Sequence, residues 1–336
     1  MNTTPAPAPR TLPTLPGQAD RLLRELEWKV IRRLDGLLQG DYRTLMRGTG
    51  LDLADLREYQ PHDDVRHIDW NVTARLNVPH VRVFTEDREM SAWFLLDLSP
   101  SVNFGPQGNA KRDILTGFVA VLSRLLTRHG NRVGAMLYGA GDSADRAVDA
   151  VLPPRSSRAH VLHLVHRLLT PPAAAANKSK QSGGATELHR LLQTGLANLH
   201  RRSTVFVVSD FISAPGWEKP LAQLAQRHDV VAVRLLDPLE LELPDVGLVT
   251  LRDAESGEQL QVDTHDAGFR HRFARLAAQR EAVLREGLAK AGADTLELCT
   301  DDDLVDALLR FMDMRQRRVR RTQAPSLPWT TPPVAA

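Results

Sequence analysis

Cysteine is nearly absent from this chain of 336 residues, in which Cys299 is the only one. A single thiol excludes an intrachain disulfide framework and a cysteine-rich zinc site, and it fits a reducing compartment. Long apolar runs are also missing, since none approaches the roughly 20 residues that a membrane span requires. The opening stretch MNTTPAPAPRTLPTLPGQ has no apolar core of the kind found in signal peptides. We therefore expect a cytoplasmic protein with no membrane span.

The net charge of the chain is small, and the common nucleotide-binding and nucleophile motifs are absent. The formal charge is +2 at pH 7, with 25% charged and 42% hydrophobic residues, which is ordinary for a globular protein. A charge this small does not by itself indicate a nucleic-acid or membrane partner. The sequence contains no GxxxxGK[ST] loop, no GxGxxG loop and no GxSxG nucleophile elbow. By that test the chain is not itself an ATPase.

Composition divides the chain into four parts. Residues 1–18 are rich in Pro, Ala and Thr and are expected to be a disordered tail. Residues 19–90 form an N-terminal segment, with a helical apolar pattern over 19–39 and then a charged region of poor periodicity. Residues 91–318 carry a regular alternation of elements, and 319–336 are expected to be a second disordered tail.

The alternation in 91–318 predicts the fold class. Apolar runs indicate strands at AWFLLDLS, 132–139, 203–210, 229–237 and 294–300, and 146–153 is expected to pair with 132–139. Helical patterns occupy 110–129, 157–169, 187–200, 217–228, 266–291 and 301–318. Strands that are apolar on both faces and alternate with helices are typical of a mostly parallel sheet covered on both sides. We predict an α/β protein with a doubly wound sheet flanked by helices, which binds ligands at the carboxyl ends of its strands.

Oxygen-bearing side chains follow two of these strands. The stretch FLLDLSPSVNFG places Asp97, Ser99 and Ser101 after the first strand, and VVSDF places Asp210 after another. Between them, Thr186 follows paired glycines at a loop-to-helix junction. Two carboxylates and three hydroxyls are hard ligands that suit Mg²⁺ or Mn²⁺ and do not suit zinc. The spacing alone also fits helix caps and loop turns, so both interpretations stay open at this point.

A resemblance favours the metal interpretation. The order D-x-S-x-S, then Thr after a glycine-rich loop, then Asp after a buried strand resembles the metal-ion-dependent adhesion site of von Willebrand factor type A domains. The stretches LREYQPHDDVRHIDWNVTAR, VRVFTEDRE and LLDPLELELPDVGLVTLRDAESGEQLQVDT resemble the bacterial domain-of-unknown-function family fifty-eight (DUF fifty-eight). That resemblance covers roughly 40–315. It implies a von Willebrand A-like domain behind a characteristic N-terminal segment.

The resemblance also implies a site and a function. The positions that correspond to the metal site are all intact: Asp97, Ser99, Ser101, Thr186 and Asp210. We expect a non-enzymatic protein-interaction module whose Mg²⁺ or Mn²⁺ completes its shell with a carboxylate from a partner. The implied partner is a MoxR-type AAA+ ATPase, and the implied process is the maturation or assembly of other proteins. Two positions depart from the family, which usually has Gly where His62 stands and Met where Val102 stands.

Other features leave alternatives to the binding module. An enzyme would use the same carboxylates for metal-assisted hydrolysis or phosphoryl transfer, but no paired motif supplies a nucleophile or base. The stretch EYQPHDDVRHIDW suits an acid/base site, yet we favour a buried network in which Arg66 and Arg75 pair with Asp64 and Asp69. Its histidines, His62 and His67, are expected to be structural or at the surface. The run RQRRVRR at 315–321 suits nucleic acid, but a solvated helix end explains it better.

Overall fold

The computed structural model describes residues 15–31, 34, 52–85, 91–105, 109–139, 148–170, 186–254 and 257–323. The helices in these ranges are α1 (Leu15–Leu26), α2 (Trp70–Leu76), α3 (Lys111–Arg128), α4 (Arg158–Leu169), α5 (Leu188–Asn198), α6 (Glu218–Arg227), α7 (Ala267–Ala291) and α8 (Leu304–Gln323). The strands are β1 (Asp52–Glu58), β2 (His80–Thr85), β3 (Ser91–Asp97), β4 (Arg132–Tyr138), β5 (Ala150–Arg155), β6 (Thr204–Ser209), β7 (Asp229–Leu236), β8 (Leu248–Arg252), β9 (Gln259–Asp263) and β10 (Asp294–Cys299).

A six-stranded sheet in the order β10-β7-β6-β3-β4-β5 organises the fold. All neighbouring strands are parallel except β5, which pairs antiparallel with β4. The sequence therefore predicted both the mostly parallel sheet and the pairing of the 146–153 region with the preceding strand. From β3 the chain builds outward through β4 to β5, and it then builds the other half through β6, β7 and β10. The strand order thus reverses between β3 and β6, which is where open sheets of this kind bind ligands.

Each face of the sheet has its own hydrophobic core. Successive side chains of a strand point to opposite faces, and Phe94 and Leu96 accordingly pack with α3 and α8 while Leu95 packs with α5, α6 and α7. Phe94 stacks on Phe206 with a centroid distance of 5.2 Å in the first core. Burial on both faces explains why β3 and β6 appear in the sequence as continuous apolar runs.

Two antiparallel strand pairs were not predicted. β1 pairs with β2, and β8 pairs with β9. The apolar residues of the second pair are partly at the surface, since Leu248 is 72% and Leu260 is 61% exposed. Both strands are only five residues long and mostly exposed, so neither forms the long buried apolar run that marks the strands of the main sheet.

The helices at the two ends extend beyond the predicted ordered segments. α1 begins at Leu15, inside the predicted tail 1–18, and α8 continues to Gln323, inside the predicted tail 319–336. Ala19 and Leu23 of α1 pack against Ala120 of α3 and against α4. The predicted division into an N-terminal segment 19–90 and a domain 91–318 stays a prediction. Residues 1–14 and 324–336 of the two tails lie outside the described residues.

Candidate functional site

Asp97 closes strand β3 beside the point where the strand order reverses. It is completely buried, like the apolar residues directly before it. Its Oδ1 accepts a hydrogen bond from the backbone N–H of Ser99 at 3.0 Å, and its Oδ2 accepts one from the Ser209 hydroxyl at 2.7 Å. Neutral donors from two neighbouring strand ends therefore fix the carboxylate at the carboxyl edge of the sheet.

The two serines after Asp97 form a tight turn. A short 3-10 helix covers Pro100–Asn103, and the Ser99 and Ser101 hydroxyl oxygens lie 3.0 Å apart. Ser99 is 2% and Ser101 is 8% exposed. Gly139, which follows β4, lies directly against this turn, because a Cβ there would come within 2.7 Å of the Ser99 nitrogen. The turn therefore places both hydroxyls close together just after the strand.

Asp210 follows β6, the neighbour of β3, and is 1% exposed. Its Oδ1 accepts the N–H of Ile212 at 2.9 Å. The residue between them, Phe211, has a left-handed φ of 59°, which is unusual for a bulky side chain. Strain of this kind tends to persist where a site depends on it. The Ser209 hydroxyl supports the turn by accepting the Phe211 N–H at 2.9 Å.

Thr186 reaches the same edge from a third loop. It is 5% exposed, and its carbonyl accepts the N–H of Ala214 at 2.8 Å, which ties it to the loop after β6. The next residue, Glu187, donates its N–H to the Tyr138 hydroxyl at 3.0 Å. Tyr138 is the register partner of Asp97 in the sheet. The structure therefore brings all five predicted positions to one edge, while the paired glycines before Thr186 lie outside the described residues.

Lys111 and Glu240 belong to this edge but were missed from the sequence. Lys111, the first residue of α3, is completely buried and donates to Asp210 Oδ2 at 3.1 Å. Its ammonium also pairs with Glu240, from the 3-10 helix Pro238–Glu240 after β7. One signal was available, because a cation in the first turn of a helix opposes the helix dipole and requires an explanation.

Burial and charge raise the pKa of two carboxyl groups here. The pKa of Asp97 rises to about 6, first because it is buried and then because Asp210 carries a like charge nearby. Burial also raises the pKa of Glu240, although Lys111 opposes the shift. Asp97, Asp210 and Glu240 stand against the single ammonium of Lys111, so the ionised cluster has a formal charge of −2. An uncompensated buried charge of this kind fits a divalent cation.

The donor set fits Mg²⁺ or Mn²⁺ in kind, since it offers only carboxylate and hydroxyl oxygens. Asp97, Asp210 and Glu240 influence one another's charge but are not grouped as three ligands of one ion, and no other three side chains of His, Cys, Asp or Glu among the described residues are so grouped. The five predicted positions include two carboxylates only, so an ion there would depend on the hydroxyls and on water. The metal role of these residues stays a prediction.

A groove of about 790 Å³ opens beside the candidate site. Its lining includes Ser101, Phe104, Ile212 and Leu239, together with residues of the β8–β9 hairpin. Phe104, Ile212 and Leu239 are each about two-fifths exposed. The groove therefore presents apolar side chains to solvent next to one of the predicted hydroxyl ligands.

The EYQPHDDVRHIDW stretch does not form the expected buried network. Asp63 accepts two bonds from Arg57, at 2.8 and 2.6 Å, in a partly exposed pair. Arg66 approaches Asp64 at 3.7 Å but is 87% exposed. Asp69, which is buried, caps α2 by accepting the N–H groups of Asn71 and Val72. Asp64 and Asp69 thus act as local caps, because each accepts backbone N–H groups just after it, while Asp63 is held by the side chain of Arg57.

The two family departures and the basic run have plain structural settings. His62 is exposed, and Val102 is 1% exposed within the first core, as expected for a packing change. Arg315, the first residue of RQRRVRR, is buried and pairs with Asp229 at 2.6 Å and Asp294 at 3.5 Å. It is thus not the solvated helix end that we expected. The side chains after it lie outside the described residues.

The fold and site define a mixed α/β protein with a candidate ligand site at the switch point of its sheet. The family described as "Protein of unknown function DUF58" matches residues 55–283, and the chain belongs to this family. The uncharacterized proteins Mb1516 of Mycobacterium bovis and Rv1480 of Mycobacterium tuberculosis are each 38% identical to it over 295 residues, which cover 88% of this chain and 89% of each relative.

One solved structure shows a distant likeness to this chain. The conserved hypothetical protein BatB from Bacteroides thetaiotaomicron aligns with 68% of this chain and 99% of its own, with a TM-score of 0.41 and 13% identity. A likeness this distant carries no argument about function. Separately, none of the helices in the described ranges is both long and apolar enough to cross a bilayer.

Proposed function

We propose that this protein is a metal-dependent protein-interaction module with a von Willebrand A-like site. The observation that carries the proposal is the burial of Asp97, Ser99, Ser101, Thr186 and Asp210 at one edge, where the strand order reverses. A bound Mg²⁺ or Mn²⁺ would supply a Lewis-acidic position that attracts a carboxylate. The exposed apolar groove at Ser101 supports a protein partner, because it offers contact area beside that position.

The chain's own residues have distinct parts in this function. Ser99, Ser101 and Thr186 supply hydroxyl oxygens, while Asp97 and Asp210 supply charge and orient water. The family resemblance points to a MoxR-type AAA+ ATPase as the partner, with the pair acting on the maturation or assembly of other proteins. A cytoplasmic location remains an expectation from the single cysteine.

Replacement of Asp97 tests the site directly. Asp97→Ala removes a carboxylate at a strand tip and little apolar surface, so we expect divalent-ion binding to disappear while the fold remains. Isothermal titration with Mg²⁺ and Mn²⁺ measures the first, and circular dichroism measures the second. Unchanged affinity in the variant would remove Asp97 from the site.

The enzyme alternative calls for a different measurement. A metal-assisted hydrolase would turn over ATP, nucleotide esters or p-nitrophenyl phosphate in the presence of Mg²⁺ or Mn²⁺. We expect the purified protein to show no more turnover than an Asp210→Ala control. Metal-dependent turnover that this substitution removes would replace the binding module with an enzyme.

A further inference from the structure

Lys111 is an unusual residue to find completely buried. A desolvated ammonium is costly unless it is paired, and the N-terminal turn of α3 adds an unfavourable helix dipole. The structure supplies both partners, Asp210 at 3.1 Å and Glu240. The ring of Phe104 adds a third contact, with its centroid 5.8 Å from the ammonium. The lysine is therefore held at one end of the candidate metal site by three separate elements.

The pairing of Lys111 leaves the other end of the site negative. Asp97 accepts bonds from the Ser99 N–H and the Ser209 hydroxyl, which are neutral donors. One ammonium shared by Asp210 and Glu240 neutralises one of those two charges. The cluster of three carboxylates thus keeps two unbalanced charges, and it would keep three without the lysine.

We propose that Lys111 is a specificity-determining residue that sets the charge of the ion this site accepts. With Lys111 in place, a divalent ion brings the buried cluster to neutrality, and a trivalent ion would leave an excess positive charge. Without it, a divalent ion leaves the cluster negative, which favours trivalent ions and opposes an anionic ligand from a partner. This inference rests on the proposed metal-binding function and adds the basis of ion selectivity to it.

Three near-isosteric variants change the charge of the cluster in known steps. Glu240→Gln makes it one unit less negative, Lys111→Met makes it one unit more negative, and the double variant restores the parent charge. Mn²⁺ affinity is measured by calorimetry, and Tb³⁺ affinity is measured by its luminescence on displacing Mn²⁺. Lys290→Met is the control. Lys290 is 73% exposed on α7 and pairs with Glu286, and it lies just before the start of β10, away from the carboxyl ends of the strands.

The ion affinities are expected to follow the charge of the cluster and not the number of substitutions. Glu240→Gln weakens Mn²⁺ binding by about tenfold, and Lys111→Met tightens Tb³⁺ binding by about tenfold or more, because charges in a buried site interact strongly. The double variant returns the preference for Mn²⁺ over Tb³⁺ close to that of the parent, and the control leaves both affinities unchanged.

The other outcomes distinguish a failure of the proposed metal binding from a failure of the role given to Lys111. If the parent binds no divalent ion, the proposed function fails. If the parent binds Mn²⁺ but Lys111→Met and the double variant lose affinity alike, Lys111 is only structural and this inference fails. An unchanged ratio of Tb³⁺ to Mn²⁺ affinity in all variants also overturns it. Should Lys111→Met not fold, Glu240→Gln and the double variant still decide.

Discussion

At the scale of single residues, two buried serines show that the contribution of a hydroxyl to stability depends on its hydrogen-bond partners. Ser209 and Ser123 are both completely buried. The Ser209 hydroxyl donates to Asp97 at 2.7 Å and accepts the Phe211 N–H at 2.9 Å. The Ser123 hydroxyl has no hydrogen-bond partner within the described ranges. The two positions therefore form a matched pair for one substitution.

Ser209→Ala is expected to lower the free energy of unfolding by about 1–3 kcal/mol, because it leaves a buried carboxylate oxygen and a buried N–H unsatisfied. Ser123→Ala removes an unpaired polar atom and is expected to be neutral or slightly stabilising. Urea unfolding of both variants beside the parent protein provides the measurement. Equal losses in the two variants would show that the Ser209 hydrogen bonds contribute nothing specific.

His160 predicts a pH dependence. It is buried, and its ring nitrogen Nε2 lies 2.8 Å from the Val133 carbonyl, to which the Nε2–H donates. Burial lowers the pKa of His160 below its usual value, and Arg155 adds to the shift. Below about pH 6.5, His160 binds a proton in the unfolded chain but stays neutral in the folded protein until the pH is lower. The contribution of His160 to stability is thus present above that pH and is lost as the pH falls.

The measurement compares the parent with His160→Gln, whose amide still donates to the carbonyl. The free energy of unfolding of the parent is expected to fall more steeply below pH 6.5, by up to about 1.4 kcal/mol per pH unit. The difference between the two proteins cancels the titration of every other group. Exposed His200 provides the control substitution. Parallel pH profiles for the parent and His160→Gln would contradict the assignment.

Residues that follow a recognisable strand could be placed from the sequence, and residues brought in by the tertiary fold could not. Asp97 and Asp210 each end an apolar run, so parallel packing alone predicts that both lie at the same edge of the sheet. Lys111 and Glu240 are 129 residues apart and lie on a helix start and a short 3-10 helix. No local pattern relates them, because their contact depends on where α3 and the segment after β7 are placed on the sheet.

At the scale of elements, turns decide how accurately the site is held. Gly139 and Gly130 are a matched pair of left-handed glycines, with φ of 85° and 79°, and they flank β4. A Cβ at Gly139 would come within 2.7 Å of the Ser99 nitrogen, whereas a Cβ at Gly130 would meet nothing within 4 Å. Alanine at either position has the same unfavourable backbone conformation, but only Gly139→Ala displaces the D-x-S-x-S turn.

Gly130→Ala is expected to cost about 1 kcal/mol of stability, the usual cost of a left-handed alanine, and to leave Mn²⁺ affinity unchanged. Gly139→Ala is expected to cost more and to weaken Mn²⁺ binding by about tenfold or more, since catalytic and metal positions tolerate little displacement. Calorimetry and thermal melts measure the two effects. If both variants keep the parent's affinity, the turn is not positioned by Gly139.

The elements that the sequence predicted are those that bury an apolar face. β3, β6 and β7 and the helices that cover them were found because their hydrophobic periods report burial. β8 and β9 were missed because they present Leu248 and Leu260 to solvent. Those exposed strands border the groove beside Ser101. Their exposed apolar side chains are therefore compatible with a surface that a partner covers.

At the scale of the whole molecule, ion pairs fasten the outer helices to the edge of the sheet. Arg315 of α8 pairs with Asp229 and Asp294, at the starts of β7 and β10. Arg234 of β7 pairs with Glu281 of α7. Removal of one partner from a buried pair leaves an uncompensated charge. A test of the basic run must therefore keep Arg315, and truncation after Gln316 does so while removing four arginines.

The last prediction sets the metal against this basic run as the means of partner binding. If an ion bridges to a carboxylate, a MoxR-type AAA+ ATPase should be retained by the parent in Mg²⁺ and released by EDTA. Ser99→Ala combined with Ser101→Ala should release it as well, because both hydroxyls lie in the turn beside Asp97. Truncation after Gln316 should retain it. A pull-down with the exposed Ser156→Ala variant as control measures all of these. Binding that survives EDTA and the double substitution but is lost on truncation, and that weakens steeply with salt, would show that the arginines and not the ion make the contact.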